Sequence, residues 1–183
     1  MTPQEKKSAL WGSLAESDRR STVLLIDDAA IVRQAVRRAL EPEISVLEAA
    51  DGEAGLTLLD EHDTAAVDLV LTDFMMPRLS GLEVIAVLTR YRPDVAIIGM
   101  TVHADLGLRE AAAEYGVPVL QKPFEVDALL ASIREVLAES RNGRGVQGRP
   151  QWRADRVRAP GAGGLVAAAK ALAKKVPFSE ARS

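Results

Sequence analysis

Short apolar runs alternate with longer amphipathic stretches from residue 22 to residue 138. The first run, Thr22-Val-Leu-Leu-Ile26, is unbroken and rich in β-branched residues, the pattern of a strand buried on both faces. Residues 29–40 then place Ile31, Ala35, Val36 and Leu40 at helical spacing, with Arg33, Arg37 and Arg38 outward. Pro42 stops that helix, because a proline has no N–H to continue it. Ile44 to Ala49 reads as a second strand, and Asp51-Gly52 as a turn opening a helix that runs to about Asp60. Val67 to Leu71 is a third strand, running into Thr72-Asp73 and a loop marked by Pro77 and Gly81.

The alternation continues. Residues 82–91 form a helix with Leu82, Ile85 and Leu88 on one face, broken at Pro93. Val95 to Ile98 is a fourth strand, residues 104–115 an alanine-rich helix ending at Gly116, and Val117 to Leu120 a short fifth strand. Residues 125–138 close the series as a helix with Val126, Leu129, Leu130, Ile133 and Leu137 inward. Strands alternating with helices imply a parallel α/β sheet with right-handed crossovers and helices on both faces. Ligands of such sheets sit outside the carboxyl ends of the strands, so the loops after the strands are where chemistry is expected.

Composition narrows the chemistry. Apolar residues make up 48% but aromatics only 4%, so the core must be built from Val, Leu, Ile and Ala. There is no cysteine, which removes disulfides and thiolate metal sites. Two histidines, His62 and His103, are too few for a histidine zinc site. The first twenty residues are polar and charged, unlike a signal peptide, and no run of eighteen apolar residues exists, so a soluble cytoplasmic protein is expected. The net charge of −3 conceals an acidic body at residues 21–139, with a balance of −12, and a basic segment at 140–183, with a balance of +8.

The strand ends carry a consistent chemistry. The first ends in Asp27-Asp28, the third in Asp73, the fourth in Gly99-Met100-Thr101 and the fifth in Lys122-Pro123. A parallel sheet brings these ends to one rim, where three carboxylates repel one another and at least one pKa rises. Mg²⁺ relieves that repulsion, since it takes oxygen ligands and keeps several waters. Lys122 offers a mobile cation and Thr101 a hydroxyl donor for a tetrahedral oxyanion. Taken singly, an Asp-Asp pair before a helix is more often an N-cap, and Asp73 before a Pro-Gly loop a turn residue. Taken together, they describe a site for a phosphoryl group.

With those residues in hand, the chain resembles the response-regulator receiver family of two-component signalling. The matching stretches are Val-Leu-Leu-Ile-Asp27-Asp28, Leu-Thr-Asp73-Phe-Met-Met-Pro77 with Gly81, Gly-Met-Thr101 and Lys122-Pro123-Phe124, all within residues 21–139. The resemblance implies a flavodoxin-like doubly wound (βα)5 fold with strand order 2-1-3-4-5. It implies that Asp73 is the phosphoacceptor, served by a histidine kinase or phosphotransfer protein. Asp28, Asp73 and the backbone carbonyl of Met75 would ligate Mg²⁺, with Asp27 acting through a metal-bound water. Lys122 would pair with phosphoryl oxygens, Thr101 would swing in to hydrogen-bond the phosphoryl group, and the Lys122–Pro123 peptide would be cis.

The chain also departs from the family. The aromatic expected three residues before Lys122 is Val119, so output must be coupled through loop movement or another residue. Met75 and His103 are candidates for tuning phosphoryl lifetime, and apolar Met75 points to a long-lived phosphoryl group. Residues 1–20 read as a flexible or partly helical extension. Residues 140–183 read as a flexible basic Gly/Arg-rich tail with a short helix at 165–176. The leading expectation is a stand-alone regulator working through protein contacts, with dimerisation through the face of its fourth helix, fifth strand and fifth helix. The alternative is a phosphorylation-gated nucleic-acid binder using the tail, which could instead dock on the acidic body. A phosphatase is disfavoured because Met75 stands where a second acid would be needed, and a dehydrogenase because residues 27–32 lack the glycine fingerprint.

Overall fold

The computed structural model describes residues 20–41, 43–61, 67–103, 106–141 and 163–173. Within them lie β1 (Thr22–Ile26), α1 (Ala30–Leu40), β2 (Ser45–Ala49), α2 (Gly52–Glu61), β3 (Leu69–Asp73) and α3 (Gly81–Tyr91). These are followed by β4 (Ala96–Thr101), α4 (Leu106–Glu114), β5 (Val119–Gln121), α5 (Val126–Arg141) and α6 (Gly164–Ala173). The five strands pair in parallel in the order β2-β1-β3-β4-β5, the doubly wound order expected. The proline read as a helix stop, Pro42, lies outside the described residues, as do His62, residues 1–19, 142–162 and 174–183.

The inner strands β1, β3 and β4 are largely apolar because successive side chains enter different cores. Leu24, Ile26, Val70 and Ile97 face α2, α3 and α4, with Leu56, Leu59, Ile85, Leu88 and Leu108. Val23, Leu25, Leu69, Leu71, Ile98 and Met100 face α1 and α5, with Val36, Leu40, Leu129, Ile133 and Leu137. Burying each large aliphatic side chain contributes about 1.5–3 kcal/mol. No helix among the described residues is long and apolar enough to cross a membrane.

Several facing assignments differ from the sequence reading. Ile31 is 79% exposed, and the inward stripe of α1 is Val32, Val36 and Leu40. Those three lie one turn apart, so Ile31 and Ala35 fall about 100° away from the sheet. Arg33 is not simply outward: its guanidinium folds back to the carbonyl of Asp27 (2.7 Å) and pairs with Glu48 (3.5 Å). Val126, the first residue of α5, is 49% exposed, while Val136 is buried. The last strand begins after Pro118, whose ring nitrogen cannot donate, and not at Val117, which bonds back to Ala112.

In α3, Val84 and Val87 are buried as well as Leu82, Ile85 and Leu88. A buried arc this wide means that the helix is covered on two sides. The second cover comes from α2 and from α6, which packs against both helices.

Candidate functional site

β1 delivers Asp27 to the rim, with its N–H donating to the carbonyl of Ala49 at 3.2 Å. Its carboxylate is buried, and two donors meet it: the Ala29 N–H on Oδ1 (2.9 Å) and Lys122 Nζ on Oδ2 (2.6 Å). A buried carboxylate needs partners of this kind, because an unpaired one would lose its hydration without replacement. Asp28 is exposed beside it.

Asp73 ends β3 and is buried. Its Oδ1 accepts the Met75 N–H at 3.3 Å, and Lys122 Nζ lies 3.2 Å from its Oδ2. Burial pushes the Asp73 carboxyl above the usual carboxylate range. Lys122 and the Met75 N–H oppose that shift, and the negative charge of Asp27 adds to it. Ligand oxygens of Asp27, Asp28 and Asp73 lie within 4.8 Å of one another. Oxygen-only donors this close suit a hard divalent cation such as Mg²⁺, which tolerates few protein ligands.

Thr101 ends β4 and is buried. Its hydroxyl donates to the His103 carbonyl (3.1 Å) and accepts the His103 N–H (3.2 Å), so it is committed to its own loop and not to Asp73. The Lys122 N–H donates to the Thr101 carbonyl at 2.7 Å, tying the strand ends that carry the threonine and the lysine. The Lys122–Pro123 peptide is cis. The side chain of Met75 is 60% exposed, and His103 is also exposed. The structure thus brings Asp27, Asp28, Asp73 and Lys122 together and leaves Thr101 turned away.

The loop after Asp73 is gripped from two sides, one at Gly81, which the sequence marked, and one at Arg78, which it did not. At Gly81, a Cβ would lie 2.0 Å from the Asp73 carbonyl oxygen, so only glycine lets α3 start against the end of β3. Arg78 has φ 68°, a left-handed conformation uncommon outside glycine, and its guanidinium pairs with Asp51. Asp51 also caps α2, accepting the Ala54 N–H at 2.9 Å, and both contacts hold its carboxyl below the usual range against the opposing effect of burial. The Asp51-Gly52 turn signalled the cap; nothing local signalled the arginine 27 residues away. Ser80 and Glu83 add a capping box to α3, with the Ser80 N–H donating to Glu83 at 2.7 Å.

Known proteins resemble this chain in sequence and in fold. Response regulator MprA of Mycobacterium sp. (strain KMS) is 37% identical over 117 residues, covering 63% of this chain and 50% of that protein. Response regulator UvrY of Escherichia coli (strain K12) is 33% identical over 120 residues, covering 65% of this chain and 55% of that one. The chain therefore spans about half the length of the curated relatives it matches. A solved response regulator receiver domain protein from Clostridium thermocellum has a TM-score of 0.63 and 29% identity, covering 67% of this chain and 98% of that chain. The response regulator receiver domain family itself matches residues 23–134. That span runs from the second residue of β1 into α5 and takes in every strand and every rim residue, and by it the chain belongs to the response regulator receiver family.

Proposed function

We propose that Asp73 accepts a phosphoryl group and that the domain reports this by changing its surface. The observation that supports this most is Lys122 Nζ, set 2.6 Å from Asp27 and 3.2 Å from Asp73 in a rim where three carboxylates converge. A lysine so placed can follow a new anion on Asp73 while Asp27 keeps it in the site.

In the transfer, a carboxylate oxygen of Asp73 bonds to phosphorus as the phosphorus–donor bond breaks. The leaving group keeps that electron pair and takes up a proton. Lys122 pairs with the phosphoryl oxygens, and Thr101 exchanges its His103 contacts for a hydrogen bond to one of them. The carboxylate donor set fits Mg²⁺, and Asp28, Asp73 and the Met75 carbonyl would hold the ion, with Asp27 assisting. When bound, the ion neutralises the carboxylates and the incoming phosphoryl charge.

The donor is a histidine kinase or phosphotransfer protein, and the role is signalling, with the domain assisting only its own phosphorylation and dephosphorylation. Met75 and His103, both exposed beside the site, set how readily water reaches the acyl phosphate. Output runs through the α4–β5–α5 face, where Val119 takes the place of an aromatic switch residue. The test is intact mass after incubation with Mg²⁺ and acetyl phosphate. A single phosphoryl adduct is expected in the wild type and not in Asp73→Asn. A wild type without the adduct, at protein and Mg²⁺ concentrations where Mg²⁺ binding is measured, would remove the reading.

A further inference from the structure

α6 has ten residues, fewer than the roughly 12–15 at which an isolated helix becomes even marginal. It is held by the receiver at both ends. At its start, the Leu165 N–H donates to Asp60 Oδ2 at 3.1 Å, so a carboxylate from the last turn of α2 serves as its N-terminal cap. Further along, Lys170 Nζ pairs with Glu53 in the first turn of α2 at 3.1 Å. Between them, Leu165 and Ala169 are buried in the same core cluster as Val84 and Val87 of α3. α6 therefore runs antiparallel to α2 along its length and also seats on α3.

That seat is continuous with the phosphoacceptor loop. Glu53 neighbours Gly52, where a Cβ would meet the Leu79 carbonyl oxygen at 2.8 Å, and lies two residues from Asp51, which holds Arg78. α3 starts at Gly81 against the Asp73 carbonyl. The segment between Asp73 and α3 is thus pinned to the two helices that α6 ties together. In this arrangement Lys122 bridges Asp27 and Asp73, the Met75 N–H lies on Asp73, and the Thr101 hydroxyl stays on His103. A phosphoryl group on Asp73 adds oxygens that compete for Lys122, for the Thr101 hydroxyl and for the Met75 N–H, and of these the Met75 N–H belongs to that segment.

We propose that α6 is an intramolecular latch: seated on α2 and α3 it holds residues 74–80 in the arrangement described, and phosphoryl occupancy of Asp73 loosens it. The inference rests on the phosphoacceptor reading above. Coupling of this kind is reciprocal, so unseating α6 must favour occupancy by the same factor that occupancy unseats α6.

The test uses the full chain with Mg²⁺ and beryllium fluoride, a phosphoryl mimic. Hydrogen exchange across residues 164–173 should lose protection by roughly fivefold or more when the site is filled, the lower end of ordinary allosteric coupling. Unchanged or increased protection, with native mass spectrometry showing the mimic bound, overturns the latch while leaving the phosphoacceptor reading standing. Failure of the mimic to bind, together with no acetyl phosphate adduct, overturns both. A second arm uses Ala169→Glu, which sets an unpartnered carboxylate in the buried seat, and Lys170→Glu, a milder surface change that opposes Glu53. Each should bind the mimic more tightly, Ala169→Glu by about fivefold or more. Affinity equal to or weaker than wild type in the folded Lys170→Glu protein overturns the latch even where Ala169→Glu fails to fold.

Discussion

Replacing Gly81 by alanine tests how Asp73 is positioned. The added Cβ would sit 2.0 Å from the Asp73 carbonyl oxygen and 2.8 Å from both the Asp73 carbonyl carbon and the Phe74 Cα. All three are backbone atoms, so no side chain can rotate away. Real Cβ contacts below 3.0 Å essentially do not occur, so the start of α3 and the end of β3 must separate by about 1 Å. That stretches the bond from the Gly81 N–H to the Phe74 carbonyl, now 3.1 Å, out of useful range. The lost bond costs about 1 kcal/mol, and the overpacking about 1–3 kcal/mol. Alanine's better helix propensity returns at most about 1 kcal/mol. The net expectation is a loss of about 1–4 kcal/mol in urea unfolding, together with slower acetyl phosphate labelling, because the displaced backbone carries Asp73. Wild-type stability and labelling in Gly81→Ala would show that α3 is free to slide, and that the loop is not set by this contact.

Asp73→Asn should be more stable than wild type at neutral pH in Mg²⁺-free buffer. The Asp73 carboxyl titrates higher folded than unfolded, so its ionisation costs the folded state stability as pH rises, and the cost disappears below the ordinary carboxylate pKa of 3.8. Urea unfolding across pH should show the gain shrinking to zero on acidification; a gain independent of pH would contradict that origin. Saturating Mg²⁺ should stabilise the wild type by about 2.7 kcal/mol at one hundred times its Kd and stabilise Asp73→Asn less, as thermal melts would show. Ser80→Ala removes the capping box of α3 and should cost about 1 kcal/mol in the same assay. Arg78→Gly relieves a left-handed backbone costing about 1–3 kcal/mol and gives up an ion pair whose arginine is exposed, worth about 1 kcal/mol or less. It should therefore unfold at equal or higher urea, and clear destabilisation would mean that the pair to Asp51 matters more than its exposure suggests.

Much of the fold was legible because the signals were local. Strands buried on both faces read as unbroken apolar runs, and the helices between them kept their own period, so element order and a parallel sheet followed from neighbours in sequence. The strand-end residues were legible for the same reason, since topology alone carries every strand end of a parallel sheet to one rim. Which residue of α1 faces the sheet was not legible. Ile31 and Val32 are equally apolar, and the choice depends on the angle at which the helix leaves β1, set by packing of Val36 and Leu40. The buried Val84 and Val87 could have been read as a hint that α3 has a second cover, but nothing adjacent says what supplies it.

The sequence by itself determined the alternation of elements, the two-sided core and the identity of the residues at the strand ends, because each depends on periodicity or on position relative to a strand. Only the tertiary structure decided that Lys122 closes on Asp27 across 95 residues, that Thr101 faces its own loop, that Gly81 abuts Asp73, and that Asp60 caps a helix 105 residues further on. These are distances between groups far apart in the chain. They follow from how the layers pack and which polar group must be satisfied where, and no local pattern of residues encodes them.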